Sequence, residues 1–159
     1  MTVVVRQGVR ALVLDPDDRI LLVRFVNPET AEEFWATPGG GLDPGEEPED
    51  GLRRELREET GLDAGEIGPV VWTRRHVFPW AGKTLDQSER IALVRTPAFE
   101  PSPALTPTQL VAEGVHELRW WTLDELASAD TNFAPRRIVR FLRQLLEEGP
   151  PPTPIDVGV

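Results

Sequence analysis

The chain has 159 residues, 40 % of them hydrophobic and including five Trp and six Phe, which fits one globular unit with its own core and excludes a disordered chain. Its formal charge of −10, from 27 acidic against 17 basic residues, repels nucleic-acid backbones and anionic membranes, so a polyphosphate ligand needs a local cation. The absence of cysteine excludes disulfides, thiolate catalysis and zinc–thiolate sites.

The opening stretch, VVVRQGVRALVLD, and the later RILLVRFV are apolar, β-branched runs separated by the turn-like PDDR, which predicts two strands in a hairpin. Arg6 and Arg10 interrupt the first run, which has no cleavage-like site and does not read as a signal peptide. No apolar run approaches the roughly 18 residues of a membrane span, so no membrane association and a cytoplasmic location are the expectations. NPETAEE follows as a polar loop. The glycines and prolines of FWATPGGGLDPGEEP then predict irregular structure until a helix begins near Glu47.

That helix runs to about Glu59 and stops at Gly61, a residue suited to a left-handed C-cap. Leu52 and Leu56 give it a thin apolar stripe, while Gly51, costly in a helix interior by about 1 kcal/mol against Ala, suggests a close backbone approach. PVVWTRRHVF and RIALVRTP read as further strands, PAFEPSPALTP as a long proline-rich loop, and VHELRWWT as a late strand. LDELAS reads as a short helix with Thr122 as N-cap, and Ile138, Phe141, Leu142 and Leu145 mark a last helix whose apolar face docks on the sheet. Residues 1–149 are expected to form a single domain and residues 150–159 a loosely held proline-rich tail.

Within the first helix, Glu55, Glu58 and Glu59 fall inside an arc of roughly 100°. The Glu49–Arg53 and Arg54–Glu58 pairs would suit an ordinary solvated helix, but Glu55 is left facing Glu59, and a glycine-rich loop comes immediately before. Hard divalent cations such as Mg²⁺ take carboxylate oxygens, water and phosphate oxygens as ligands. Three carboxylates on one face, beside a loop with little side-chain bulk, therefore suit metal-assisted phosphoryl chemistry.

Gly40, Glu46, Arg54, Glu55, Leu56, Glu58, Glu59, Gly61 and Leu62 fill every fixed position of the Nudix hydrolase signature without a gap. The flanking FWATPGG and RWWTLDEL also resemble that family. The resemblance implies an α/β protein with the Nudix fold, an α/β/α sandwich around a mixed sheet. It implies that Glu55, Glu58 and Glu59, with the carbonyl of Gly39 or Gly40, bind Mg²⁺ (Mn²⁺ as a substitute), and that Glu46, Arg54, Gly40 and Gly61 hold the loop against the helix. The implied reaction is hydrolysis of a diphosphate linkage in a nucleoside diphosphate joined to another group. Glu58 or Glu55 is the favoured general base, with Glu113 the candidate from a later loop and Glu117 a weaker rival.

Substrate contacts lie outside the signature. Arg6 and Arg24 are candidates for phosphates, and Trp35, Phe78, Phe34 and Trp80 for stacking a base, although each also suits packing. His76 and His116 read as ordinary strand or surface residues. The lack of tyrosine weakens a diadenosine-polyphosphate reading, Pro79 hints at ADP-ribose, and TRRHVFPW lacks the full motif of NADH diphosphatases. A nucleotide, nucleotide sugar or ADP-ribose-type small molecule is the expected partner, with no long nucleic acid and with homodimerisation left open. The alternatives are a non-catalytic nucleotide sensor and an RNA 5′-end pyrophosphohydrolase. None of the serines, Ser88, Ser102 and Ser128, lies in a G-x-S-x-G elbow, which argues against a serine hydrolase.

Overall fold

The computed structural model describes residues 2–159. Strand β1 (Val3–Leu14) alternates its side chains between two cores: Val9, Ala11 and Val13 face one, Leu12 and Leu14 the other. Strand β2 (Ile20–Val26) returns antiparallel to it, and the turn between them is pinned by Asp15, whose carboxylate accepts from the Asp17 and Arg19 amides and from Arg19 Nε.

The stretch expected to be irregular contains two short strands, β3 (Glu33–Ala36) and β4 (Gly39–Gly41). Pro38 lies between them and removes no ladder donor from either, and β4 pairs antiparallel with β1 at Gly8–Gly41, Val9–Gly40 and Arg10–Gly39. Helix α1 (Pro48–Thr60) begins with Pro at its first turn and ends at Gly61, in the left-handed region at φ 76°. The oddity of Gly51 is resolved by a close approach: a Cβ there would stand 2.3 Å from Leu42 Cδ2 and 2.9 Å from Glu46 Oε1, inside the loop that α1 holds.

Strands β5 (Val70–Trp80) and β6 (Lys83–Arg95) form a long hairpin, β6 starting well before the RIALVRTP run that marked it in the sequence. β6 runs parallel to the whole of β1. Residues 97–106 form the expected proline-rich loop, and helix α2 (Pro107–Ala112), which the sequence reading did not assign, follows it: Thr106 and Gln109 form a reciprocal capping box and Pro107 occupies the first turn. Strand β7 (Val115–Trp121) pairs with β2, helix α3 (Leu123–Ser128) starts at the Thr122 N-cap with its own capping box, and β8 (Phe133–Ala134) pairs with β3. Helix α4 (Ile138–Glu148) buries Ile138, Leu142 and Leu145, with Phe141 at the edge of the same core.

The expected loose tail is tied down. β9 (Ile155–Asp156) adds to the edge of β5, Val157 is buried in the core, and the Val159 carbonyl accepts from the Arg136 amide. The sheet thus runs β8-β3-β2-β1-β6-β5-β9, with β4 and β7 paired off this path. Leu52 and Leu56 of α1 cover one face, and residues of α3 and α4 cover the other. This is the expected α/β/α arrangement. None of the described helices is long and apolar enough to cross a membrane.

Candidate active site

One cavity of about 240 Å³ opens where β1, β4, β5, β6 and α1 meet. Its helix wall carries Glu55, Glu58 and Glu59, its strand wall Arg6, Arg10, Arg74, Gln87 and Glu89, and its mouth Phe25, Phe34, His76, Phe78 and Trp80. Glu113, the C-cap of α2, also reaches the lining.

Strand β4 separates the two charged walls, and its lack of side chains is what lets them approach. A Cβ on Gly40 would stand 2.8 Å from Glu55 Oε1, and one on Gly41 would stand 2.6 Å from Arg6 Nε. A phosphate chain lying on β4 therefore has carboxylates on one side and a guanidinium on the other.

Arg54 organises the helix wall. Its Nε and Nη2 donate to the two oxygens of Glu46 at 2.9 and 3.0 Å, and Nη1 donates to Glu55 at 3.1 Å and to Glu58 at 3.2 Å. The Arg54 hydrogen bonds, with the Asp43 amide, hold the Glu46 carboxyl down at about 2. Nη2 also reaches the Gly41 carbonyl at 3.3 Å, tying helix to strand.

Glu59 is almost fully buried and accepts the Gly39 amide at 3.3 Å. Burial first, and then the neighbouring charge of Glu55, push its carboxyl well above the usual carboxylate range. Glu55 is raised in the same direction, mainly by burial. Burial and mutual repulsion raise both carboxyls even though Arg54 donates to Glu55 and the charge of Arg10 acts on Glu59. Their all-oxygen donor set, beside the backbone carbonyls of β4, fits a hard divalent ion. Among the described residues no three acidic or histidine side chains are arranged as a metal cage, because Glu58 is turned onto Arg54 and Glu59 onto the Gly39 amide. Each of these contacts uses one carboxylate oxygen, Oε2.

The cavity lining brings together Arg6, Gly39, Gly40, Glu55, Glu58, Glu59, Phe78 and Glu113. Arg24 lies outside it, paired with Glu33 at 2.6 Å and Glu117 at 3.6 Å on the outer part of β2. Trp35 also lies outside: it is packed edge-on against Trp121 in the main core. Glu46 and Gly61 are structural in position, at the loop anchor and the helix cap.

Sequence reading missed Arg10, Gln87 and Glu89, and it offers Arg74 only in a basic strip with Arg75 and Arg90 that would suit RNA 5′ ends; of that strip the cavity takes Arg74 alone. Glu89 Oε1 accepts from Arg74 Nη1 at 2.7 Å, and its Oε2 accepts from Gln87 Nε2 at 3.0 Å and from Arg10 Nε. Burial pushes the Glu89 carboxyl up, but the charges of Arg10 and Arg74 outweigh it and hold the group at about 2. The available signal was period two: Arg74, His76 and Phe78 share one strand face, as do Gln87 and Glu89, so polar residues recur on the side that should face inward.

A family model, NUDIX domain, matches residues 4–142. Among solved structures, the MutT NUDIX hydrolase of Burkholderia pseudomallei is 26 % identical, covers 89 % of this chain and 98 % of its own, and superposes with a TM-score of 0.63. The NUDIX domain of Shewanella oneidensis NrtR, solved with ADP ribose, shares the fold at TM-score 0.65 and 19 % identity, over 90 % of this chain and 89 % of its own. The RNA pyrophosphohydrolase of Pseudomonas aeruginosa is 36 % identical over 69 residues, 43 % of this chain. The chain spans less than half the length of the curated relatives it matches, 41 % in that case.

Proposed function

The chain is a member of the Nudix family, and on that premise we propose that it is a cytoplasmic, Mg²⁺-dependent hydrolase of small nucleoside diphosphate derivatives, cleaving the diphosphate linkage. The observation that carries this reading is the meeting of Glu55, Glu58 and Glu59 with Arg6 across the bare strand β4, in one cavity. The lining holds four arginines against seven carboxylates, a formal excess of three negative charges before any proton binds. A polyphosphate can enter that field only with cations.

Mg²⁺, or Mn²⁺ in its place, would be held by Glu55, Glu58, Glu59 and the Gly39 carbonyl, and would supply a water of lowered pKa and charge neutralisation at the phosphoryl oxygens. Glu58 is the most open of the three, its side chain 33 % exposed against 13 % for Glu55, which supports it as the group that accepts the proton of the attacking water. Arg54 keeps Glu58 oriented until then. Glu113 is the rival base, approaching from α2. Arg6 orients a phosphoryl oxygen from the opposite side of β4. Phe34, Phe78 and Trp80 flank the organic part of the substrate at the mouth.

The ADP-ribose ligand of the Shewanella domain supports a compound of that type. The Pseudomonas relative supports a second reading, removal of pyrophosphate from RNA 5′ ends, which the acidic lining disfavours. The test is hydrolysis of ADP-ribose, sugar nucleotides, nucleoside triphosphates, dinucleotides and 5′-triphosphate RNA, with and without Mg²⁺, beside Glu59→Gln. Metal-dependent cleavage should fall by at least about 100-fold in the variant while it remains folded. Unchanged metal-dependent turnover in Glu59→Gln would sink the assignment. Tight binding of one compound with no turnover across the panel would replace it with a sensor.

A further inference from the structure

The strand wall of the cavity carries more guanidinium charge than its one carboxylate balances, and the hydrolytic scheme uses only Arg6. Arg10 and Arg74 both donate to Glu89, with side chains only 14 % and 5 % exposed. Among the described residues, Nη1 is the only guanidinium nitrogen of Arg74 with a hydrogen bond, and its Nε is buried without a partner. Arg6 uses its Nε on Gln87 at 2.6 Å, and Gln87 in turn donates to Glu89. Three cations are thus linked through one buried anion. Arg10 takes part of its remaining balance from Glu59 and Glu55, the residues that a metal would neutralise. Filling the helix wall with cations would leave the strand wall short of negative charge.

We propose that Arg74 and Arg10, steadied by Glu89 and joined by Arg6, form a subsite for a second phosphoryl group of the substrate, the one not under attack. The identity of that group rests on the diphosphohydrolase reading. A phosphoryl group suits this wall because it offers three oxygens to Arg6, Arg10 and Arg74, whereas the two oxygens of a carboxylate are matched already by Glu89 between Arg10 and Arg74. His76, stacked on Phe78 at 4.7 Å between ring centroids, lies beside this subsite, and its imidazole is lowered to about 4 by burial and then by Arg74. It is neutral at pH 7 and leaves the anion to the arginines.

The test uses the two histidines of the whole chain as reporters, with inorganic phosphate as the probe at pH 7 in Mg²⁺. The His76 imidazole C–H resonances should shift along a saturable curve, while those of His116, outside the cavity, stay fixed. Acetate at equal ionic strength should give no such curve, and Arg74→Met should weaken the phosphate response at least about tenfold. With the hydrolysed substrate, the same variant should raise KM by more than it lowers kcat. A wild-type His76 resonance unmoved through roughly 20 mM phosphate, equal shifts at both histidines, or an acetate response matching that of phosphate would overturn the proposal. The wild-type titration decides even if Arg74→Met fails to fold. Hydrolysis without a phosphate response rejects the subsite alone, and a phosphate response without hydrolysis rejects the catalytic reading alone.

Discussion

Replacing Glu89 by Gln keeps the shape of the side chain and one acceptor oxygen, but removes the anion between Arg10 and Arg74 and turns an amide N–H₂ toward a guanidinium donor. Two routes give the cost. Breaking a buried ion pair from one side typically costs about 3–5 kcal/mol. The carboxyl is held at about 2 against an ordinary 4.5, and at about 1.4 kcal/mol per unit that shift contributes on the order of 3 kcal/mol at pH 7. The melting temperature should then drop by about 6–20 °C, at roughly 2–4 °C per kcal/mol for a chain of this size. Urea unfolding followed by tryptophan emission measures the deficit directly. Because the folded-state value is depressed, the wild-type advantage is fully present above about 4.5 and is lost as pH falls toward about 2. The gap between wild type and Glu89→Gln should therefore narrow between pH 5 and pH 3. A deficit below about 1 kcal/mol at pH 7, or one that is the same at both pH values, would refute the account of the strand wall.

Two further outcomes concern the helix wall. Gly40→Ala places a methyl 2.8 Å from Glu55 Oε1, the movable end of a side chain, so calorimetry should show Mg²⁺ affinity reduced by about tenfold or more while the melting temperature shifts by only a few degrees. Glu58→Gln and Glu113→Gln separate the two candidate bases: only the variant of the true base should lose the acidic limb of the pH–rate profile, with a fall of about 10²–10⁴-fold in kcat.

Much of the fold is legible in local chemistry. The Leu52–Leu56 stripe, Gly61, Thr122 and the spacing of Ile138, Leu142 and Leu145 each place an element that the structure contains. Features set by distant partners are not legible. Ile155 and Val157 look like a tail because the edge of β5 that receives them is invisible in sequence. The start of α2 is a different case, because the Thr106–Gln109 box around Pro107 is a local signal that marks a helix N-terminus. The helix wall is legible because its carboxylates come from one stretch of 13 residues. The strand wall joins residues from β1, β5 and β6, so Arg24 and Trp35 look as plausible in sequence as Arg10 and Arg74, and only register separates them.

The parallel ladder between β1 and β6 joins residues 81 positions apart, as Arg6 is from Gln87. Such a contact forms only after a large loop has closed, which places it among the late and slow events of folding. On the ribosome, β1 can pair with β2 and β4 as they emerge, but the side of it that will meet β6 stays open until residue 95 is free. Through that interval the glutamate segment has been made while the strand that carries Gln87 and Glu89 has not. Half-made chains accordingly carry the most recognisable part of the sequence without a chamber in which to use it.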